Sequence, residues 1–125
     1  MRFLVGVRGD ETNTKIAELL KRGNSYAKAA GALVMICVDE GEDERTARYA
    51  AVDAGAAIAQ LTVEAVSRGL VAHPMAGFNS EAAHEVFGIP DGVRPIAVER
   101  DARGRDRLPL EEVVFVGTWG QPLLP

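Results

Sequence analysis

The stretch running from Arg45 to Gly69, RTARYAAVDAGAAIAQLTVEAVSRG, constrains this chain more than any other part of it. It contains no proline and is dominated by alanine with Val52, Ile58, Leu61, Val63 and Val66, so helix propensity is high along most of its length. One long helix is predicted. Charges sit near its ends, at Arg45, Arg48, Glu64 and Arg68, whereas residues 50–59 carry only Asp53 and offer small or apolar side chains in nearly every direction. A helix that is apolar all round demands cover all round. Ala50, Ala51, Ala54, Gly55, Ala57 and Ala59 add so little bulk that another helix backbone can approach closely. A chain of 125 residues has enough material for a core but little to spare for wrapping a central helix. A second chain is therefore expected against it.

Several function classes drop out on composition. The formal net charge of −4 gives no electrostatic footprint for nucleic acid. Cys37 is the single cysteine and lies inside the apolar run 32–38, which excludes an internal disulfide and metal sites built from several cysteines. It reads as a small buried hydrophobe. Residues 3–7 are too short an apolar run for a secretory leader, and Arg8, Asp10 and Glu11 follow at once. The long helix is too rich in alanine, with Asp53 and Gln60 inside it, to favour hydrocarbon. A cytoplasmic protein with no membrane partner is expected.

Taken in order, residues 2–7, RFLVGV, have the composition of a short buried strand ended by Gly9 and Asp10. Thr12 or Asn13 is expected to cap a helix through Ile16, Leu19 and Leu20 that closes near Lys21, Arg22 and Gly23. A second short helical segment is expected over 25–30. Residues 32–38, ALVMICV, form a continuous apolar run, as in a strand covered on both faces. The cluster DEGEDE, 39–44, holds five carboxylates in six residues but lacks the alternating ligand pattern of a calcium loop. It reads as a solvated entry to the long helix, where the N-terminal dipole favours acids. Beyond Gly69, a C-cap, residues 70–75 read as a strand end interrupted by Pro74. Asn79 or Ser80 caps a short helix, 81–87, closed by Gly88. A turn at 90–92, a short strand at 95–98, a polar loop at 99–107, a strand or extended arm at 110–116 and an extended C-terminal tail complete the chain. Neither an internal repeat nor a domain boundary is evident.

No Ser-His-Asp, HExxH, P-loop or GxGxxG pattern is present, which favours borrowed chemistry. Neither His73 nor His84 belongs to a recognisable catalytic pair, and structural or surface roles are expected for both. Two stretches stand out. In HPMAGF, 73–78, Gly77 permits backbone to approach a flat ligand and exposed N–H groups to bond it, although an ordinary strand-to-helix turn has the same composition. In RGRDR, 103–107, alternate residues are arginine, so an extended backbone would project Arg103, Arg105 and Arg107 to one side, where they could grip a phosphate. A solvated loop is the plain alternative. From Arg94 to Arg107 there are five arginines against Glu99, Asp101 and Asp106, a local +2 that opposes the global balance.

The succession of a strand and paired helices, then YAAVDAGAAIAQLTVEAVSRGL, then HPMAGFNSEAAHEVFGIPDGVRPIAV, then RDRLPLEEVVF resembles the FMN-dependent nitroreductase family over essentially the whole chain. The resemblance implies one α/β domain over 1–125, of the α+β nitroreductase kind, with a mostly antiparallel or mixed sheet flanked by helices. Residues 45–69 would lie at the interface of an intertwined homodimer. It implies an FMN-dependent NAD(P)H oxidoreductase that reduces nitroaromatics, quinones or similar acceptors by ping-pong hydride transfer. The alternative is a catalytically impaired dimer that serves as a flavin or small-molecule binding module. The family's turn maps onto Pro74, Met75, Ala76, Gly77 and Phe78, whose backbone would lie against the reactive edge of the flavin ring. Its basic pair maps onto Arg105 and Arg107, which would hold the FMN phosphate. Many members carry Glu where this chain has Ala76. Relative to the family the chain begins at the first strand, without the usual N-terminal helix and phosphate-binding segment.

Overall fold

The computed structural model describes residues 1–100 and Glu112. The expected arginine pair Arg105 and Arg107, the arm at 110–116 and the C-terminal tail lie outside the described residues. The elements run β1 (Arg2–Val7), α1 (Glu11–Leu19), a 3₁₀ helix (Arg22–Ala29), β2 (Ala32–Asp39), α2 (Glu44–Ser67), β3 (His73–Met75), α3 (Ser80–Phe87) and β4 (Val93–Arg100). The four strands form one sheet in the order β1-β2-β4-β3, antiparallel at every pairing. The fold is thus α+β, with helices on both faces of an antiparallel sheet.

Strand β2 is the middle of the molecule, and its alternation divides two layers. Leu33, Met35 and Cys37 face one side and join Ile16, Leu19, Leu20, Ala27, Met75, Phe78, Ala83 and Val98 in the main core beneath α1, the 3₁₀ helix and α3. Ile36 and Val38 face the other side, towards α2, which also buries Ala54. Each large aliphatic side chain fully buried here contributes roughly 1.5–3 kcal/mol relative to exposure. Cys37 is buried as expected, and burial pushes its thiol pKa up.

Strand β1 departs from its sequence reading as a buried strand. Among the described residues it is an edge strand, and its outward row of Phe3, Val5 and Val7 is about half exposed. The opposite row packs: Leu4 lies against the core, and Gly6 sits so close to α1 that an added Cβ would fall 2.3 Å from the Asn13 nitrogen. Helix α1 is capped by Asp10, rather than by Thr12 or Asn13. One Asp10 carboxylate oxygen accepts from the Asn13 N–H at 2.6 Å and the other from the Val7 N–H at 2.8 Å. The cap thereby also ends β1. Strand β4 runs longer than the 95–98 expected and carries a bulge opposite Ile36 and Cys37, where Ile96 is left unpaired next to Pro95, a residue with no N–H to give a ladder.

Helix α2 is one unbroken helix of 24 residues, starting one residue before and ending two before the sequence-based bounds. Asp43 caps it through the Thr46 N–H and hydroxyl, and Gly69 at φ +75° turns the chain away at its end. Within one chain only Ala54 is fully covered, whereas Tyr49, Val52, Val63 and Val66 are each more than half exposed. No helix among the described residues is long and apolar enough to cross a membrane.

Candidate functional site

The end of β3 and its connection to α3 carry the five residues singled out in the sequence, and the fold shapes them from behind. Strand β3 lies at the sheet edge, where Pro74 is tolerated opposite Glu99. Met75 and Phe78 turn into the core, whereas Pro74 and Ala76 face outward. Phe78 forms an isolated antiparallel bridge with Leu20, and the Asn79 N–H donates to the Leu19 carbonyl at 2.8 Å. Asn79 also caps α3 through the Ala82 N–H. Helix α1 therefore stops at Leu19, short of the basic residues expected to close it, because Leu20 is drawn into extended pairing with the turn.

Two carbonyls of the turn are engaged. Ala76 O accepts the Phe78 N–H at 3.1 Å, and Gly77 O accepts both the Lys21 N–H at 2.9 Å and the Asn24 side-chain amide at 3.0 Å. The N–H groups of Ala76 and Gly77 enter none of these bonds. The 76–77 peptide, which carries the Gly77 N–H, and the 77–78 peptide are thus each held at the rim of the sheet through a bonded carbonyl. A Cβ on Gly77 would lie 2.4 Å from Asn24 Nδ2, so a side chain there would have to displace the asparagine. No sequence pattern marks Lys21 and Asn24 as partners of this turn, because Asn24 lies 53 residues from Gly77.

Beside the segment that leads into β3 lies a cavity of about 500 Å³, lined by Val34, Leu61, Ala65, Leu70, Val71 and Glu99 among others. Glu99 is 3% exposed, and its Oε2 has no hydrogen-bond partner among the described residues. Burial raises its pKa, against the opposing pull of the Thr62 hydroxyl. His84, read as a surface residue, is half-buried, and its Nδ1 lies 3.0 Å from the Ile89 carbonyl. His73 is half-buried in β3.

The nitroreductase family model matches residues 5–98. A Mycolicibacterium smegmatis protein described as "Uncharacterized 15.4 kDa protein in ask 5'region" is 62% identical over 148 aligned residues, covering 98% of this chain and 100% of that protein. Among solved structures, an oxidoreductase containing FMN superposes with a TM-score of 0.80 at 27% identity, over 96% of this chain and 72% of its own. The hypothetical oxidoreductase YcnD from Bacillus subtilis gives 0.78 at 25% identity, over 94% of this chain and 56% of its own. With a family match across both layers of the sheet and the β3–α3 turn, the chain belongs to the nitroreductase family.

Proposed function

We propose that the chain is an FMN-dependent oxidoreductase that works as a homodimer, with α2 at the interface. The observation that carries the flavin reading is the pair of N–H groups at Ala76 and Gly77, free of the turn's own bonds and held at a sheet rim. Such donors fit the electron-rich edge of a reduced isoalloxazine, and the missing side chain at Gly77 lets backbone approach a flat ring. When bound, FMN would supply hydride transfer from NAD(P)H to a nitroaromatic, a quinone or a similar electron-poor acceptor in ping-pong order. The chain's own part is binding and orientation. Pro74, Met75, Ala76, Gly77 and Phe78 form the wall against the ring, with Met75 and Phe78 anchoring that wall in the core. Arg105 and Arg107 would hold the phosphate through charge-assisted bonds. The exposed Val52, Val63 and Val66 supply the apolar surface that a second α2 would cover.

The deciding experiment is a visible spectrum of the purified chain with and without added FMN, read beside its mass in solution and its NAD(P)H oxidation with a quinone. A yellow dimer that turns over supports the enzyme. A dimer that binds FMN without turnover would make it a binding module instead, and a chain that takes up no FMN at all sinks the flavin reading.

A further inference from the structure

The turn that faces the proposed cofactor is composed of residues with little hold on their own geometry. Ala76 has no side-chain polar group and Gly77 has no Cβ, so the one local restraint on the peptides either side of Gly77 among the described residues is the bond from the Phe78 N–H to Ala76 O. The further restraint arrives from elsewhere in the chain. Gly77 O receives two donors, the Lys21 N–H at 2.9 Å and Asn24 Nδ2 at 3.0 Å, which together occupy both lone pairs of the carbonyl. Lys21 donates through its backbone, so any residue but proline at that position serves. Among the described residues, Asn24 supplies the one side chain that donates to this carbonyl.

Asn24 is itself well placed to act as a strut. Its own N–H donates to the Lys21 carbonyl at 2.8 Å, which ties it to the other donor, and its Oδ1 lies 3.5 Å from the Tyr26 hydroxyl. The same hydroxyl is 3.7 Å from Met75 Sδ, on the opposite flank of the turn. The amide fills the space that a side chain at residue 77 would need, coming within 2.4 Å of an ideal Cβ there. Because a carbonyl only accepts, the orientation of the amide is settled: nitrogen towards Gly77, oxygen towards Tyr26.

We propose that Asn24 is a positioning residue for the flavin site: by holding the Gly77 carbonyl it fixes the 77–78 peptide, whose N–H donates to Ala76 O, and through that bond it sets the 76–77 peptide that carries the Gly77 N–H offered to the cofactor edge. The inference rests on the flavin reading for its consequence, but the clamp itself stands on the geometry of this chain. Asn24 touches neither cofactor nor substrate in this role. Its effect passes through the peptide it orients.

The test compares the full-length wild type with Asn24→Asp, a near-isosteric variant whose carboxylate cannot donate to Gly77 O and repels it, and with the milder Asn24→Ser. The first readout needs no cofactor: the backbone ¹⁵N–¹H resonances of Ala76 and Gly77 should move in both variants, while those of α2 stay in place. The second is the FMN midpoint potential of the reconstituted protein. Asn24→Asp should weaken the preference for reduced over oxidised FMN about tenfold, which is about 30 mV for a two-electron couple. The hydride-transfer rate should fall with less change in KM. Resonances at Ala76 and Gly77 that match the wild type overturn the clamp. A changed turn with an unchanged potential overturns the positioning role. If the wild type takes up no FMN, the flavin reading falls, and the resonance comparison still decides whether Asn24 sets the turn. As a further check, Gly77→Ala should disturb the turn strongly in the wild type and much less beside Asn24→Ala, where the methyl has room.

Discussion

The Thr62 hydroxyl lies 3.1 Å from Glu99 Oε1 and 2.8 Å from the Ile58 carbonyl, so two oxygens compete for a single hydroxyl proton. The Ile58 carbonyl can only accept. A protonated Glu99 resolves the competition by supplying the second proton, and its burial between the sheet and α2 favours that neutral form.

With its pKa raised in the folded state, Glu99 holds a proton more tightly when folded than when unfolded. The stability it contributes is complete below the unfolded pKa and is lost as pH rises through the folded one. Urea midpoints should therefore fall from acid towards neutral pH. Glu99→Gln, neutral at every pH, should remove this slope and be the more stable form at neutral pH, whereas Thr62→Val should cost about 0.5–1.5 kcal/mol. A wild-type midpoint as flat with pH as that of Glu99→Gln would show the proton is not held.

The two helix caps act in the opposite direction. The Asp10 pKa is lowered chiefly by the Asn13 and Val7 N–H groups, and that of Asp43 by the Thr46 hydroxyl and N–H. Their stabilisation is present above the unfolded pKa and is lost as pH falls through the folded one. Asp10→Asn and Asp43→Asn, which retain a capping oxygen, should each flatten the acid limb of a thermal-melt series. Stability should accordingly peak between the acid loss at these caps and the loss at Glu99.

Gly6→Ala should be among the most damaging single-methyl additions in the chain. The new Cβ would fall 2.3 Å from Asn13 N and 2.4 Å from its Cα, backbone atoms that cannot swing aside as a side chain could. The expected loss is at least about 1–3 kcal/mol, read as a lower denaturant midpoint with an unchanged slope. An unperturbed midpoint would mean that α1 can move away from β1.

If a second α2 covers the exposed valines, Val63→Asp should convert a dimer into a monomer by light scattering while leaving the far-ultraviolet spectrum of the chain intact. Val63 is 69% exposed in one chain, so the charge costs little until a partner buries it. Retention of the dimer would move the interface elsewhere.

Replacing Arg105 or Arg107 with alanine should weaken FMN binding by about 1.5–3 kcal/mol each, roughly ten- to hundredfold, if each makes a charge-assisted phosphate contact. Fluorescence titration reads this directly, and affinities equal to wild type would remove both from the site.

How far the sequence revealed the fold varied with the range of the interaction. Helix α2, the apolar strand β2, the Asn79 cap and the Gly88 stop were all legible, because propensity and capping act within a few residues. Strand β1 was misread as buried because Phe3, Val5 and Val7 are as apolar as Leu4, so the two faces carry no contrast in polarity. The cap of α1 was misplaced because Asp10, Thr12 and Asn13 are all competent, and the choice was made by the Val7 N–H at the end of the neighbouring strand. Of the site, the turn at 74–78 was visible as a glycine-bearing break. The Asn24 bond to the Gly77 carbonyl was not, since nothing near Asn24 in sequence distinguishes it from an ordinary loop asparagine.

The separation of 53 residues between Asn24 and Gly77 also bears on the order in which the molecule is assembled. The β1–α1 cap and the β1–β2 ladder close over shorter spans, whereas the turn at 74–78 gains its frame only when a long loop has closed and β4 has arrived to pair with β3. The amides proposed to face the flavin are thus expected to be among the last parts of the chain to find their place and among the first to open in native-state hydrogen exchange.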